Sequence, residues 1–449
     1  MTGRFAGERV VVVGAGVAGT GAARVLSSEG AEVLVTETRP PEEIDSLAEL
    51  EALGVEIRAG GHDPRHLGDA SLVVVGPGVP PDADPVRWAR ERGVPVSGEM
   101  ELGARLAGRP YLAVTGTNGK TTVTSMLEGC LRSAGLDALA CGNIGRPFPE
   151  AAVEDHDVLV VEVSSFQLAL QESFHPSVSV LLNVAPDHLD WHGSYDAYVA
   201  AKRNIFARQS GTDIHIGNRD DPAAAALSAD APCEVRWFRS GEPAEGEVGY
   251  EGHELVARVD GVHPLGRVDA RSAGSRENAA AAAAAALAYG AEPAAVAAAL
   301  TSFRPSAHRG EVVATVEGVR FVDNSKATNV HAAAAAIDAA GSTVLIAGGR
   351  AKGVDLSPLR DHAETLRAVI AIGEAAPELV RVFDGAVPVS TAVSIEDAVR
   401  DAFAAASPGD TVLLAPACAS WDQFRSYTER GDRFAAAARS LRAEAGARG

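Results

Sequence analysis

The stretch YLAVTGTNGKTT, residues 111–122, decides the fold of this chain. Its first five residues are mostly apolar and predict a buried strand, and the glycines and lysine that follow predict a tight turn that opens a helix. A glycine-rich turn between a strand and a helix is typical of phosphate binding, because the backbone N–H groups at a helix start face an anion. The stretch therefore predicts an α/β fold with a nucleotide site.

The turn departs from the strict phosphate-loop pattern GxxxxGK[ST], whose first glycine would fall on Val114. Gly116 and Gly119 frame the turn instead. Lys120 can still neutralise phosphate oxygens, and Thr121 can offer a hydroxyl to Mg²⁺. An ordinary strand–turn–helix joint is the plainer alternative, but the amphipathic helix that follows favours phosphate binding.

A second glycine-rich turn, VVVVGAGVAGTG, occupies residues 10–21. Its spacing, Gly14-x-Gly16-x-x-Gly19, is the dinucleotide fingerprint, and Glu37 falls near the position of a ribose-binding acid. The spacing alone leaves three interpretations open. The turn can serve close packing of a strand and a helix, an NAD-dependent dehydrogenase, or another diphosphate nucleotide such as a UDP-sugar.

Composition restricts the class of protein. The chain has 449 residues, enough for two to four domains, and a formal net charge of −20. A broad negative field disfavours binding to nucleic acids and anionic membranes. The four cysteines form no CxxC pair, which predicts reduced cysteines and a cytoplasmic protein, and no apolar stretch is long enough for a membrane span.

Strand and helix patterns alternate in three segments, which predicts three α/β domains spanning residues 1–108, 109–305 and 306–449. Short apolar runs read as parallel strands, and the alanine-rich run 278–290 reads as a helix. The predicted strands lie at 10–13, 32–37, 71–76, 111–115, 158–163, 177–184, 319–324, 342–349, 368–373 and 411–416.

Candidate metal and activation residues lie in the middle segment. Glu162 ends a predicted buried strand, where a carboxylate can hold Mg²⁺, and His188 follows a strand end. Tyr195, Tyr198 and Lys202 share one helix face. From the residues alone, a solvated helix lysine is the favoured interpretation of Lys202, although a buried lysine can lose its proton and react.

Six motifs occur in one order along the whole chain and together resemble the Mur ligases of bacterial cell-wall synthesis: GTNGKTT, EVSSFQL, DHLDWHGSYDAYVAAK, HRGE, DNSKATN and ACASWDQF. The first and third are shared with folylpolyglutamate synthetases. SSFQL, DNSKATN and ACASWDQF are narrower and resemble the D-glutamate-adding branch. The resemblance implies an N-terminal Rossmann-like UDP-binding domain, a central P-loop ATPase domain with a mostly parallel sheet, and a C-terminal Rossmann-like domain for the amino acid.

The resemblance also implies a reaction. ATP would activate the carboxylate of UDP-N-acetylmuramoyl-L-alanine as an acyl phosphate, and D-glutamate would attack it to give an amide, ADP and phosphate. Two Mg²⁺ ions would assist, and CO₂ would carbamylate Lys202. The protein would be a cytoplasmic monomer that binds no nucleic acid.

Site residues follow from the same resemblance. Catalysis would involve Lys120, His188, Lys202 and Lys326. The metals would be held by Thr121, Glu162, His188 and carbamylated Lys202. ATP would be bound by Gly116, Thr117, Asn118, Gly119, Lys120, Thr121, Thr122, Asn278, Arg309 and Asn324. The UDP-substrate would be bound by Gly14, Ala15, Gly16, Val17, Glu37, Thr38, Arg39, Gly76, Pro77, Gly78, Asn143 and Ser164. D-glutamate would be bound by Thr328, Lys352, Ser420 and Tyr427.

Two departures from the family pattern concern the nucleotide. The family usually carries an acid immediately before the Ser-Lys pair, where this chain has Asn324. It also has a His-Asn pair and a second asparagine, where this chain has Glu277-Asn278 and Ala281. The first change affects the expected ribose contact, and the second predicts that adenine recognition is looser or uses other groups.

The sequence leaves three alternative functions to weigh against this one. The diamino-acid-adding Mur ligase and folylpolyglutamate synthetase would share the mechanism, but ACASWDQF and KATN argue against both. A dehydrogenase leaves GTNGKT and the DHLD segment unexplained. A non-catalytic nucleotide sensor would not need Lys120, Glu162, His188 and Lys202.

Overall fold

The computed structural model describes residues 3–268, 276–304, 307–351 and 353–446. Three sheets with flanking helices follow one another along the chain, which confirms the α/β class. Contacts divide the described residues into two compact units. One unit holds the first two sheets, in residues up to 184, 196–268 and 276–302, and the other holds the third sheet together with residues 185–195. The borders predicted at 108 and 305 remain predictions.

The first sheet is parallel and has the strand order β3-β2-β1-β4-β5. The chain leaves β1 toward one edge and returns through β4 to the other, so the switch point of the topology lies between these two strands. The Gly14 turn follows β1, and the Gly76-Pro77-Gly78 turn follows β4. The strands are β1 (Arg9–Val13), β2 (Glu32–Thr36), β3 (Glu56–Arg58), β4 (Leu72–Val75) and β5 (Val96–Gly98).

The second sheet is mostly parallel, with the order β14-β13-β12-β11-β10-β9-β6-β8-β7 and two antiparallel pairings at the β14 end. The strand of the phosphate turn, β6, is buried along its whole length between β8 and β9. The strands are β6 (Tyr111–Thr115), β7 (Ala138–Gly142), β8 (Val158–Glu162), β9 (Val178–Leu181), β10 (Ile214–Asn218), β11 (Glu234–Phe238), β12 (Glu247–Glu251), β13 (Glu254–Ala257) and β14 (His263–Gly266).

The third sheet has the order β15-β16-β20-β17-β18-β19. The four predicted strands of this segment, β16, β17, β18 and β20, pair in parallel as expected, and β15, which the sequence analysis did not predict, pairs antiparallel with β16. A hairpin needs only the short Glu317-Gly318 turn, where a parallel pair would need a long crossover. The strands are β15 (Glu311–Val316), β16 (Val319–Asp323), β17 (Thr343–Gly348), β18 (Leu366–Ile372), β19 (Val389–Thr391) and β20 (Thr411–Leu414).

Helices cover the sheets and carry the functional turns at their first residues. Within the described part of the chain, none of them is long and apolar enough to cross a bilayer. They are α1 (Val17–Ser28), α2 (Leu47–Ala52), α3 (Asp84–Glu91), α4 (Glu99–Leu106), α5 (Lys120–Ser133), α6 (Phe148–Ala152), α7 (Ser165–Leu168), α8 (Leu189–His192), α9 (Tyr195–Arg203), α10 (Pro222–Ser228), α11 (Arg276–Ala288), α12 (Pro293–Ser302), α13 (Val330–Ala340), α14 (Ala376–Phe383), α15 (Ile395–Ala405) and α16 (Tyr427–Gly446). Short 3-10 helices cover Pro41–Glu43, Pro64–Leu67 and Ser357–Thr365.

Candidate active site

The turn after β6 has the backbone that its glycines predict. Gly119 has a φ of 85° and precedes α5 directly. A Cβ atom there would lie 2.4 Å from Oδ1 of Asn278, and one on Gly116 would lie 2.8 Å from the Leu182 side chain. Both positions therefore require glycine, and Asn278 lies against the turn.

Lys120 lies over this turn. Its Nζ donates hydrogen bonds to the carbonyl oxygens of Gly116, at 2.8 Å, and Thr117, at 2.9 Å. Thr121 and Thr122, in the first turn of α5, are buried. A cation and the amino end of a helix thus occupy the same turn, which is the electrostatic arrangement that a polyphosphate requires.

Neighbouring elements hold the turn in place. The Asn118 N–H donates to Oδ1 of Asn183 at 2.8 Å, and Nδ2 of Asn183 donates back to the Asn118 carbonyl at 3.2 Å. The Thr117 and Tyr198 hydroxyls are 2.8 Å apart. The turn is therefore braced by residues after β9 and by α9.

Lys202 is 1% exposed, so the solvated lysine favoured from the residues alone is wrong. Its Nζ lies 4.8 Å from the ring centroid of Tyr198, one helical turn earlier on α9. The helix face that the sequence predicts is thus a buried face at Tyr198 and Lys202. Burial of an amine disfavours its charged form unless a partner compensates, and it creates the setting in which a lysine can react.

Glu162 ends β8, the strand that pairs with β6. The residue is 2% exposed, and its Oε1 accepts a hydrogen bond of 2.7 Å from Nδ2 of Asn143. Its Oε2 is buried and has no hydrogen-bond partner among the described residues. A buried carboxylate oxygen without a partner is unfavourable, and a divalent cation would satisfy it.

A complete cluster of three or more acidic, histidine or cysteine ligands is absent from the described residues. Glu162 ends β8, and Thr121 lies in the first turn of α5, after the adjacent strand β6. These two residues fit part of a metal site. Water and phosphate oxygens commonly complete the shell of Mg²⁺ in nucleotide sites.

Ser164 and Gln167 form a reciprocal cap at the start of α7. The Ser164 N–H and hydroxyl donate to Oε1 of Gln167, at 2.8 and 2.9 Å, and Nε2 of Gln167 donates to Oε1 of Glu99 at 2.8 Å. Burial raises the pKa of Glu99 to about 7, although the Gln167 amide and the N–H groups of Glu99 and Met100 lower it. Sequence reasoning missed Glu99 and Gln167. The S-x-x-Q spacing of a capping box was the available signal.

The first glycine turn lies between β1 and α1. Gly14 has a φ of 93°, and a Cβ on Gly19 would lie 2.0 Å from the Gly14 carbonyl oxygen, so close strand–helix approach requires glycine. The Gly76 N–H donates to the Val13 carbonyl at 3.5 Å, which puts the Gly76-Pro77-Gly78 turn beside it. The predicted UDP-site residues of these two turns thus adjoin at the switch point of the first sheet. Val17 is 74% exposed there.

Glu37 is buried beneath the same turn. Its Oε2 accepts from the Ala15 N–H at 2.7 Å and from Arg39 at 2.8 Å, and its Oε1 accepts from the Thr38 hydroxyl and the Arg39 N–H, each at 3.1 Å. Burial alone would raise the pKa of Glu37, but the hydrogen bonds from Arg39, Ala15 and Thr38 outweigh it and hold the pKa at about 2. Because a carboxylate has about four acceptor sites, Glu37 is saturated by the protein.

In the second unit, His188 has a φ of 54°, which is strained for a residue other than glycine. Its N–H donates to Oδ1 of Asp187 at 2.9 Å, and Oδ2 of Asp187 accepts from Nδ2 of Asn329 at 3.1 Å. Asp187 is buried, so this carboxylate ties the His188 turn to the start of α13. Neither Asp187 nor Asn329 was singled out from the sequence.

Lys326 and Tyr427 contact each other in the same unit. Nζ of Lys326 is 3.2 Å from the Tyr427 hydroxyl and 4.7 Å from its ring centroid. Burial alone would raise the pKa of Tyr427, but the charge and hydrogen bond of Lys326, with the charge of Arg309, outweigh it and lower the pKa. The structure thus brings Lys326 and Tyr427 into contact, and Arg309 is near enough to act on Tyr427 through its charge.

A buried scaffold holds this group. Asp323 accepts from the Ser325 N–H at 2.9 Å and lies 2.7 Å from Nδ1 of His308. Arg430 is fully buried and donates to the Ser325 hydroxyl and carbonyl at 3.0 and 2.8 Å. Burial lowers the pKa of Arg430 to about 10. No sequence pattern points to Arg430, because its partners are distant in the chain.

Other predicted residues of the second unit lie near strand ends. The Asn324 N–H donates to the carbonyl of Leu414, which ends β20. Thr328 is half-buried one residue before Asn329, and Ser420 is buried. Lys352 lies outside the described residues.

Comparisons with known proteins cover the whole fold. The model of the Mur ligase MurD-like N-terminal domain matches residues 8–98, that of the Mur ligase middle domain matches 114–288, and that of the Mur ligase glutamate ligase domain matches 308–418. The chain therefore belongs to the Mur ligase family.

Relatives that match nearly the full length of the chain point to one group within this family. The chain is 46% identical to the UDP-N-acetylmuramoylalanine--D-glutamate ligase of Frankia casuarinae, over 97% of this chain and 95% of that protein. It is 42% identical to the enzyme of the same name in Acidobacterium capsulatum, over 95% of each chain. The crystal structure of MurF ligase from Thermotoga maritima in complex with ADP shares the fold, with a TM-score of 0.60, 18% identity and coverage of 98% of this chain and 96% of that one.

Proposed function

We propose that the protein is an ATP-dependent ligase that joins D-glutamate to UDP-N-acetylmuramoyl-L-alanine in peptidoglycan precursor synthesis. The full-length relatives carry that name. The observation in this chain that carries the proposal is the unpartnered buried oxygen of Glu162 at the same sheet edge as the Lys120 turn. A dehydrogenase would need neither feature.

The reaction proceeds by activation, because a carboxylate carbon is not electrophilic toward an amine at neutral pH. A carboxylate oxygen of the L-alanine unit attacks the γ-phosphorus of ATP, and the bond to the β–γ bridging oxygen breaks, giving ADP and an acyl phosphate. The D-glutamate amine then attacks the acyl carbon. The tetrahedral intermediate expels phosphate, and the nitrogen loses its proton to leave the amide.

Residues of the first unit bind and neutralise the phosphates. Lys120 would exchange the carbonyls of Gly116 and Thr117 for phosphate oxygens, and the amino end of α5 adds its dipole. Mg²⁺, which the family uses with ATP, would be held by Glu162 and Thr121 and would neutralise charge between the two reacting anions. Two ions, with His188 and a carbamylated Lys202 as further ligands, complete the proposal.

Residues of the second unit would bind the amino acid and the transferred phosphoryl group. Arg309 and Lys326 supply positive charge, and Thr328, Lys352, Ser420 and Tyr427 are the proposed D-glutamate contacts. A dicarboxylate needs fixed cations and hydroxyl donors: Thr328, Ser420 and Tyr427 would supply the hydroxyls, and Arg309, Lys326 and Lys352 the positive charge. Asn324 in place of an acid predicts a weaker ribose contact.

Three organisational features belong to the same proposal. The domains end near residues 108 and 305, the protein is a monomer, and it works in the cytoplasm, where ATP is available. The four free cysteines fit a reducing compartment.

Phosphate release from ATP tests the proposal. Purified protein is incubated with Mg²⁺, ATP and UDP-N-acetylmuramoyl-L-alanine, with D-glutamate, L-glutamate, meso-diaminopimelate or L-lysine. We expect release that depends on D-glutamate and a product heavier by one glutamyl residue. Release with another amino acid would move the enzyme to a different ligation step, and no release with any of them would contradict ligase function.

A further inference from the structure

Ser164 carries a hydrogen-bonding constraint that the proposed substrate contact does not explain. Its hydroxyl proton points to Oε1 of Gln167, and the Gln167 backbone N–H donates to the hydroxyl oxygen at 3.3 Å. A hydroxyl has one proton and two lone pairs. With the proton and one lone pair in use, the remaining capacity of Ser164 is to accept.

The orientation of the Gln167 amide decides this polarity. Its oxygen must face Ser164, because both the N–H and the hydroxyl of Ser164 donate to it. Its nitrogen must then face an acceptor, and Glu99 supplies one at 2.8 Å. Gln167 and Glu99 are each 3% exposed, so water cannot readily replace either partner.

We propose that Glu99 is a positioning residue that acts through Gln167 to keep the Ser164 hydroxyl an acceptor for an N–H or O–H donor of the sugar-peptide substrate. The inference rests on the proposed function, which supplies that substrate. It predicts that Ser164 contacts an amide N–H or a sugar hydroxyl, and not the carboxylate that ATP activates, because a carboxylate offers only lone pairs.

The location of the three residues supports a role in substrate binding. Ser164 lies two residues after Glu162, which ends β8. Asn143, the other proposed contact of the sugar-peptide, donates a hydrogen bond to Glu162. Glu99 is the first residue of α4, which directly follows the last strand of the first sheet. The hydrogen bonds therefore connect the segment after the first sheet to the strand end that carries the candidate metal ligand.

Glu101 offers a matched control on the same helix. It is buried like Glu99, and it accepts hydrogen bonds from the N–H groups of Glu172 and Ser173 at 3.0 and 2.9 Å. Replacing Glu101 by methionine also removes a buried carboxylate from α4, but it leaves Gln167 untouched.

The first experiment compares the Glu99→Met and Glu101→Met variants. For Glu99→Met we expect the KM for UDP-N-acetylmuramoyl-L-alanine to rise about tenfold, the effect of losing one oriented hydrogen bond, with kcat and the KM for ATP within about twofold. For Glu101→Met we expect loss of thermal stability without this selective rise. An unchanged KM in Glu99→Met, or equal rises in both variants, would overturn the inference.

A charge swap provides a second, independent measurement. The Gln167→Glu variant sets two buried carboxylates against each other, so the KM should rise. The double variant Glu99→Gln with Gln167→Glu restores every hydrogen bond, because the carboxylate introduced at position 167 would accept from Ser164 and from the new amide at position 99. We expect the KM to return to within about threefold of the starting value, which is less than about 1 kcal/mol. No recovery in a folded double variant would argue against the positioning role.

Activity of the unsubstituted protein distinguishes failure of the proposed function from failure of the positioning role. If it releases no phosphate with any acceptor, the proposed function fails. If it is active and the KM is insensitive to Glu99, only the positioning role fails.

Discussion

The two glycine turns of the first unit each lead from a strand into a helix, but they differ in glycine spacing and in electrostatics. The turn at Gly14 donates its Ala15 N–H to a carboxylate of the protein, Glu37. The turn at Gly116 carries a lysine ammonium on its own carbonyls. The first turn thus holds an internal anion, and the second carries a cation that can serve an external one.

This difference explains why one chain contains both turns. A triphosphate brings several negative charges and needs the cation and the open helix end of the second turn. One N–H of the first turn is already bonded to Glu37, so this turn must recognise its ligand through shape and its remaining groups. The same comparison disfavours a dehydrogenase, because the saturated Glu37 has no lone pair left for a ribose hydroxyl.

Replacement of Lys120 is the largest test of the comparison. We expect Lys120→Met to lower kcat/KM on the order of 10³-fold, because a positioned cation on a transferring phosphoryl group is a major source of stabilisation. Phosphate release measures the loss, and calorimetric binding of the UDP-substrate should be unchanged. A loss smaller than about tenfold would mean that the second turn does not depend on its cation.

Lys202 tests the support behind the second turn. If carbamylation makes it an anionic metal ligand, Lys202→Ala should lower kcat on the order of 10²-fold or more. This lies within the range for loss of a general acid or base. Added short carboxylic acids should partly restore activity by occupying the vacated space. As a control, the Tyr198→Phe change keeps the buried ring beside Lys202, and it should lower kcat less and show no rescue. Absence of rescue in a folded Lys202→Ala protein would indicate a merely structural lysine.

Alanine substitutions at glycines of the two turns should have effects of intermediate size. Gly119→Ala forces a positive φ and a contact with Asn278, so we expect a penalty on the order of 1–3 kcal/mol and a raised KM for ATP. Gly129, in the middle of α5, has open space, and Gly129→Ala should stabilise the protein by about 0.5–1 kcal/mol. Gly19→Ala should instead raise the KM for the UDP-substrate. Thermal unfolding and the two KM values distinguish these outcomes.

The sequence predicted the fold because its strands are short, apolar and separated by glycine turns. The runs at 10–13 and 111–115 became β1 and β6 almost to the residue. The strands of residues 214–266 were not predicted, because they are short and lack the continuous apolar runs on which the other strands were recognised. The edge strand β15 was not predicted either, and apolar runs alone do not give the direction in which strands pair.

The candidate site was predictable only where one motif contains its own geometry. Lys120 contacts the carbonyls of its own turn, four and three residues away. Glu162 and Asn143 were found from a strand end and a family motif, but the contact between them joins the ends of two strands. The burial of Lys202 and the contacts of Arg430 and Glu99 depend on elements far apart in the chain, which periodicity cannot report. The usual behaviour of lysine even favoured the wrong interpretation of Lys202, because most helix lysines are solvated.

The pH response of Glu37 is the smallest and most specific test. Its pKa is about 2 in the folded protein against an ordinary 4.5, so the ionised carboxylate stabilises the fold fully above pH 4.5 and this stabilisation is lost as the pH falls from 4.5 toward 2. Glu37→Gln should therefore lower the free energy of unfolding by roughly 2 kcal/mol at neutral pH, and the difference should shrink through that window. Urea denaturation at a series of pH values measures it.

Glu49 provides the control for this last test, because its pair with Arg24 lies beside the same sheet but its side chain is 52% exposed. Water screens such a pair, so Glu49→Gln should change stability much less. A Glu37 effect that matched Glu49 would mean that the first turn is not built around an internal anion. The N–H of Ala15 would then be free for a phosphate, and the two glycine turns would differ in charge only by the lysine of the second.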